Sequence, residues 1–110
     1  MSEAVFEIIR TRQFDRKARK IWAERDLAEV FKKLAQSPKA GTHLGGELYK
    51  IRVAASGRGK RGGARIIYLL ISAEQSMYLL DAYAKNEKDD PTAAEYKVLR
   101  KFANNLRGVQ

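Results

Sequence analysis

Apolar positions change their spacing along the chain, and each change marks an element. Val5, Phe6, Ile8 and Ile9 form a short run that predicts a first strand, ended by Arg10 and Thr11. Phe14, Ala18, Ile21 and Trp22 then recur at helical spacing, with Arg16, Lys17, Arg19 and Lys20 on the opposite side. That is an amphipathic helix with a basic back, and Trp22 on its apolar face reads as core. Asp26 followed by Glu29 has the form of a capping box, and Leu27, Val30, Phe31 and Leu34 continue as one stripe until Ser37 and Pro38 stop it. After a loop over residues 39–46 come three β-like stretches, 48–54, 64–71 and 77–84, rich in isoleucine, leucine and tyrosine. Thr92 with Glu95 is a second capping box, opening a closing helix whose Tyr96, Leu99, Phe102, Ala103 and Leu106 share a face.

The order is therefore β-α-α-β-β-β-α, an α+β fold. Short links make the last three strands antiparallel neighbours, whereas the helical detour lets the first strand join the sheet elsewhere. At 110 residues the chain predicts a single domain spanning 1–110, large enough for one packed core. With no cysteine there is no disulfide, no thiol nucleophile and no cysteine-ligated metal. No cofactor or metal site is expected, and a cytoplasmic location fits. Residues 1–12 lack the apolar stretch of a signal sequence, and no run of about 18 apolar residues suggests a membrane span.

Charge changes the picture most. Lysine and arginine number 22 against 13 aspartate and glutamate, a net charge of +9. From Lys50 to Arg65 there are six cations and four glycines without one acid. Such a concentration repels itself until an anion arrives, and a polyanion, RNA above all, is the expected partner. Alternation puts Lys50 and Arg52 on one side of their strand and Ile51 and Val53 on the other. Arg65 opens the next strand, and Tyr83 and Lys85 close the last, so one sheet face carrying Lys50, Arg52, Arg65, Tyr83 and Lys85 is expected. Beside it hangs a loop with Arg58, Lys60 and Arg61. Clustered cations with glycines that permit close approach suit phosphate contact, and tyrosine adds a stacking ring and a phenol.

Several other signals carry no chemistry. Gly57, Gly59 and Gly62 have the letters of a dinucleotide fingerprint, but a β-like run follows where that motif needs a helix. His43 is the only histidine and excludes a two-histidine acid–base pair. Glu87, Asp89 and Asp90 are read as acids favouring the start of the closing helix.

The stretches 45–54, 57–68 and 83–87 resemble the HigB-type branch of the RelE/ParE toxins of bacterial toxin–antitoxin pairs, by motif from about Gly41 to Leu106. The resemblance implies a RelE-like, antiparallel-rich sheet with two N-terminal helices and a C-terminal one. It also implies a type II toxin, an endoribonuclease that cleaves messenger RNA in the ribosomal A site without metal and so halts translation. Lys50, Arg52, Arg65, Tyr83 and Lys85 would be its catalytic residues, with Arg58, Lys60, Arg61 and Asn86 binding RNA. Implied partners are a cognate antitoxin and the programmed ribosome, including its 16S rRNA, with no membrane and no direct reading of DNA. Asn86 stands where the better-known RelE pattern often has arginine, and no tyrosine falls just before the closing helix. Two other classes remain open: a ParE-like poison of DNA gyrase, and a non-catalytic protein that binds RNA or the ribosome.

Overall fold

A computed structural model describes residues 6–55, 63–85, 87, 90–106 and 108. In chain order the elements are β1 (Glu7–Arg10), α1 (Arg12–Ala18), α2 (Glu24–Gln36), β2 (Thr42–Gly45), β3 (Leu48–Val53), β4 (Ala64–Ile71), β5 (Ser76–Ala84) and α3 (Ala93–Leu106), with a 3-10 turn, Ser72–Glu74, between β4 and β5. One five-stranded sheet has the order β1-β5-β4-β3-β2. β1 runs parallel to β5, with Ile8 opposite Met77, and the other pairings are antiparallel. The α+β class and the detour of the first strand agree with the sequence.

β4 lies at the centre and is buried along all eight residues. Ile66, Tyr68 and Leu70 enter a core layer with Phe14, Ala18 and Trp22 and with Leu27 and Leu34 of α2. Ile67, Leu69 and Ile71 enter a second layer with Leu99 and Ala103 of α3. A strand covered on both faces has no polar side to present, which is why its sequence is a nearly unbroken apolar run.

The structure corrects several local expectations. Within the expected loop 39–46, Thr42–Gly45 forms an edge strand, too short and too polar to announce itself. α1 ends at Ala18, earlier than the periodicity suggested, with Thr11 as its cap. Thr11 Oγ1 accepts the Phe14 N–H at 3.3 Å and donates to the Leu79 carbonyl at 2.7 Å. Trp22 lies past the helix but is buried, its Nε1–H donating to the Ala54 carbonyl at 2.8 Å. Asp26 and Glu29 are not a capping box: α2 starts at Glu24, with Ala23 in the cap position and no side-chain cap. Asp26 is instead a first-turn acid, stabilised by the helix dipole. Phe102 is not core either, being 43% exposed beside Val98.

Two polar devices fix how the layers meet. Arg10 at the end of β1 donates Nε to Asp15 at 2.5 Å and Nη2 to Glu24 at 3.0 Å, tying the strand to both helices. The hydrogen bond from Arg10 holds the Glu24 carboxyl below its ordinary pKa. Tyr68 Oη donates to the Pro38 carbonyl at 2.9 Å and accepts the Gly41 N–H at 3.1 Å, anchoring the approach to β2. A Cβ at Gly41 would lie 2.7 Å from the Lys50 carbonyl oxygen and 2.8 Å from Tyr68 Oη, so only glycine fits there.

The Thr92–Glu95 box is present in full, with the Glu95 N–H on Thr92 Oγ1 at 3.1 Å and the Thr92 N–H on Glu95 Oε1 at 2.9 Å. Thr92→Ala is therefore expected to cost about 1 kcal/mol in urea denaturation, and Asp26→Ala less than about 0.5 kcal/mol. Equal losses would mean that the two sites are not distinguished by capping.

Burial raises the Tyr68 pKa above its ordinary 10.0. A raised folded-state pKa means that this contribution to stability is whole below about pH 10 and is lost as pH rises toward the native value. Tyr68→Phe should lower stability at neutral pH by about 1 kcal/mol. Above pH 10 the gap between the wild type and the variant should narrow, and denaturation curves from pH 7 to 11 check this.

Candidate nucleic-acid interface

The cationic side chains are placed by strand alternation and by register. Ile51 and Val53 pack into the layer beneath α1 and α2, which turns Lys50 and Arg52 to the face that carries α3. Arg52 lies directly opposite Arg65 on β4, and Arg65 directly opposite Tyr83 on β5. These three side chains form a row across three strands, with Lys50 two residues along β3 on the same side.

A shift of register makes the row possible. Between Ile67 and Tyr68 the β4–β5 pairing slips, so that Leu80 is supernumerary. Leu79 faces the α1 layer, whereas both Leu80 and Tyr83 face the α3 layer. Without the extra residue, strict alternation from Leu79 would aim Tyr83 at the opposite face.

The members differ in depth. Arg52 and Lys85 are exposed and Lys50 is half-buried. Arg65 and Tyr83 are each 1% exposed, beneath the surface rather than on it. Lys50 Nζ forms an ion pair with Asp90, in the segment leading into α3. Glu87 Oε1 accepts the Ala84 N–H at 3.0 Å. The expectation that these acids serve the start of α3 is thereby corrected: Thr92 and Glu95 cap it, Asp90 meets Lys50, and Glu87 closes the end of β5. Asp89 lies outside the described residues, as do Arg58, Lys60, Arg61 and Asn86.

Gly63, at φ 61°, ends the β3–β4 connection, and a Cβ there would strike the Val53 carbonyl. Its own carbonyl accepts the Lys85 N–H at 3.1 Å, drawing the end of β5 against the base of the hairpin. Gly63 leads straight into β4, without the helix that a dinucleotide fingerprint requires. His43 lies on β2 with Nε2 2.6 Å from the Gly46 carbonyl oxygen and its ring 5.1 Å from that of Tyr49.

Like charges directly opposite on neighbouring strands destabilise a sheet, and Arg52 and Arg65 stand in that relation. Arginine presents a planar fork that suits phosphate. A groove of about 630 Å³ lies between α2 and β3 and is lined by Val30, Leu34, Ile51 and Val53, with Arg52 at its rim. Arg52 is the one member of the row that borders it. Sequence reasoning missed Asp90 as the Lys50 partner, because 40 residues separate the two and no local pattern joins them.

A family model described as the RelE toxin of the RelE/RelB toxin–antitoxin system matches residues 6–110, and the chain belongs to that family. Among solved structures it is similar to an arginine double mutant of the Escherichia coli toxin RelE in the free state. The TM-score is 0.61 at 17% identity, covering 87% of this chain and 97% of that one. The RelBE2 toxin–antitoxin complex of Mycobacterium tuberculosis matches with TM-score 0.56 at 18% identity, over 76% and 94% of the two chains. The intact E. coli RelBE complex matches with TM-score 0.55 at 18% identity, over 72% and 95%. These likenesses show the fold, and the family shows a toxin of the RelE kind.

Arg65→Ala should destabilise the protein by about 2 kcal/mol or more, because it empties space in the central strand. Arg52→Ala, at an exposed position, should stay within about 0.5 kcal/mol of wild type. Thermal and urea unfolding of the two variants check this difference.

Proposed function

We propose that this chain is the toxin of a type II toxin–antitoxin pair, of the HigB-type branch, and that it cleaves messenger RNA in the ribosomal A site. The observation that carries the reading is the row Arg52, Arg65 and Tyr83 with Lys50 on the same face. In metal-free scission the ribose 2′-hydroxyl gives up its proton and attacks the adjacent phosphorus. The 5′-oxygen leaves and takes up a proton, so the products are a 2′,3′-cyclic phosphate and a 5′-hydroxyl.

The phosphorane-like transition state carries extra negative charge, and preorganised cations stabilise it. Arg52 meets the scissile phosphate from the surface. Arg65 supports it from beneath, and Lys85 holds the strand near the end of β5. Lys50 is the base for the 2′-hydroxyl, and Asp90 is the partner it exchanges for RNA. Tyr83, beside Arg65, serves the proton transfers. Arg58, Lys60, Arg61 and Asn86 extend the RNA contact along the β3–β4 connection and past β5. A cognate antitoxin neutralises this surface, in keeping with a +9 chain and with relatives solved as RelBE complexes.

Purified protein added to ribosomes programmed with a defined message should create new 5′ ends at the A-site codon. Lys50→Ala and Arg52→Ala should each slow cutting about 100-fold or more while remaining folded. DNA breaks trapped on gyrase, without messenger cleavage, would support a gyrase poison instead. Ribosome binding without cleavage would support a non-catalytic binder.

A further inference from the structure

The groove between α2 and β3 has no part in the proposed chemistry, yet it touches that chemistry at one residue. At about 630 Å³ it lies in the range of small-ligand sites, and Val30, Leu34, Ile51 and Val53 give it an apolar floor. Val30, Ile51 and Val53 are only half-buried, so the floor stands partly open to water. Arg52 belongs both to the cationic row and to the rim of the groove. A strand that rests a phosphate on Arg52 therefore has its adjoining base at the mouth of the groove.

The edge of β3 is open at this point. The Leu70 N–H donates to the Glu47 carbonyl at 3.0 Å, so by alternation Tyr49, Ile51 and Val53 bond β4 while Lys50 and Arg52 turn their backbone groups to the other edge. β2 reaches only as far as Lys50, opposite Thr42. The Arg52 N–H and carbonyl are thus left without a strand partner, beside the groove. Asp26, Glu29 and Lys33 of α2 stand on its other wall. Glu29 and Lys33 have the spacing and order that favour an ion pair on a helix. Among the described residues they form none, and both side chains are exposed.

These features select the occupant. An acidic protein segment, or a phosphate, would be repelled by Asp26 and Glu29. A nucleobase is uncharged, offers apolar faces to the floor and a polar edge to the wall, and can stack on an arginine plane. Bases turned out of single-stranded RNA are read in this manner. Of the four, guanine alone directs two adjacent N–H donors, N1–H and N2–H, at one carboxylate, and Glu29 is the unpaired carboxylate of the groove.

We propose that the α2–β3 groove receives one unstacked base of the RNA whose phosphate lies on Arg52, and that Glu29 selects guanine there. The inference deepens the reading of the chain as an RNA-cleaving toxin and rests on its choice of RNA as partner.

The test titrates the full chain with four 2′-O-methyl trinucleotides, UGU, UAU, UCU and UUU, following affinity and the methyl resonances of Val30, Ile51 and Val53. UGU should bind about 10-fold more tightly than UUU and should move those methyl signals. Glu29→Gln should bring the ratio down to about 2-fold or less, with the unfolding temperature unchanged because the side chain is exposed. The ratio is indifferent to the general gain in RNA affinity that follows from removing a negative charge.

Absent or equal binding of the four trinucleotides would overturn the proposal. So would a guanine preference that survives in Glu29→Gln, or binding that leaves the groove methyls unmoved. A peptide of alternating glutamate and valine that moves those methyls while no trinucleotide does would also overturn it, pointing to a protein segment. Programmed ribosomes separate the two readings. Cleavage without the trinucleotide preference removes the groove alone, and a Glu29-dependent preference without cleavage supports the groove and removes the cleavage reading.

Discussion

Arg65 places a guanidinium in the most deeply buried strand of the sheet, where every neighbour along the chain as far as Ile71 is apolar or aromatic. Removing a charge from water costs several kcal/mol even after relaxation, so a fold keeps such a residue only where its surroundings supply polar or charged contacts. Arg65 Nη1 donates to the Ala64 carbonyl at 3.5 Å. Because β4 is flanked by β3 and β5, the registers of both hairpins decide which residues stand opposite Arg65: Arg52 on one side and Tyr83 on the other. The rest of the candidate centre follows from this one position.

Two irregularities serve the arrangement. The supernumerary Leu80 turns Tyr83 to the face of Arg65, and Gly63 lets the chain return tightly enough for its carbonyl to hold Lys85. Asp90 brings the segment before α3 down onto Lys50, and the Thr92–Glu95 box then starts the helix that covers Leu48, Ile67 and Leu69. Cover and cationic face are thus built from one continuous stretch of chain. On the opposite side of the sheet, Arg10 uses the nearby carboxylates and leaves the remaining arginines of α1 facing solvent.

Much of this was legible in the sequence because it rests on local periodicity. The strands over 48–54, 64–71 and 77–84 were placed within a residue or so, since buried and half-buried strands write their pattern directly into isoleucine, leucine and tyrosine. The Thr92–Glu95 box was visible for the same reason, as its two partners lie three residues apart. What escaped depends on contacts distant along the chain. β2 exists because β3 offers an open edge, Lys50 finds Asp90 across 40 residues, and Leu80 becomes supernumerary only when β4 is laid beside it. The burial of Arg65 and Tyr83 escaped too, because alternation tells which face a side chain takes and not how deeply α3 covers that face. The misplaced cap at Asp26 shows the limit of a motif with no partner check: Glu24 and Arg25 already continue the helix backward.

The most direct measurement is the position of the scissile phosphate in a structure of this toxin bound to ribosomes programmed with a message blocked by 2′-O-methylation at the cut site. The account requires that phosphate within hydrogen-bonding reach of Arg52 and Lys50, on the α3 face, with the Lys50–Asp90 pair opened. A phosphate seated elsewhere, with the Arg52–Arg65–Tyr83 row empty and Lys50 still on Asp90, would contradict it.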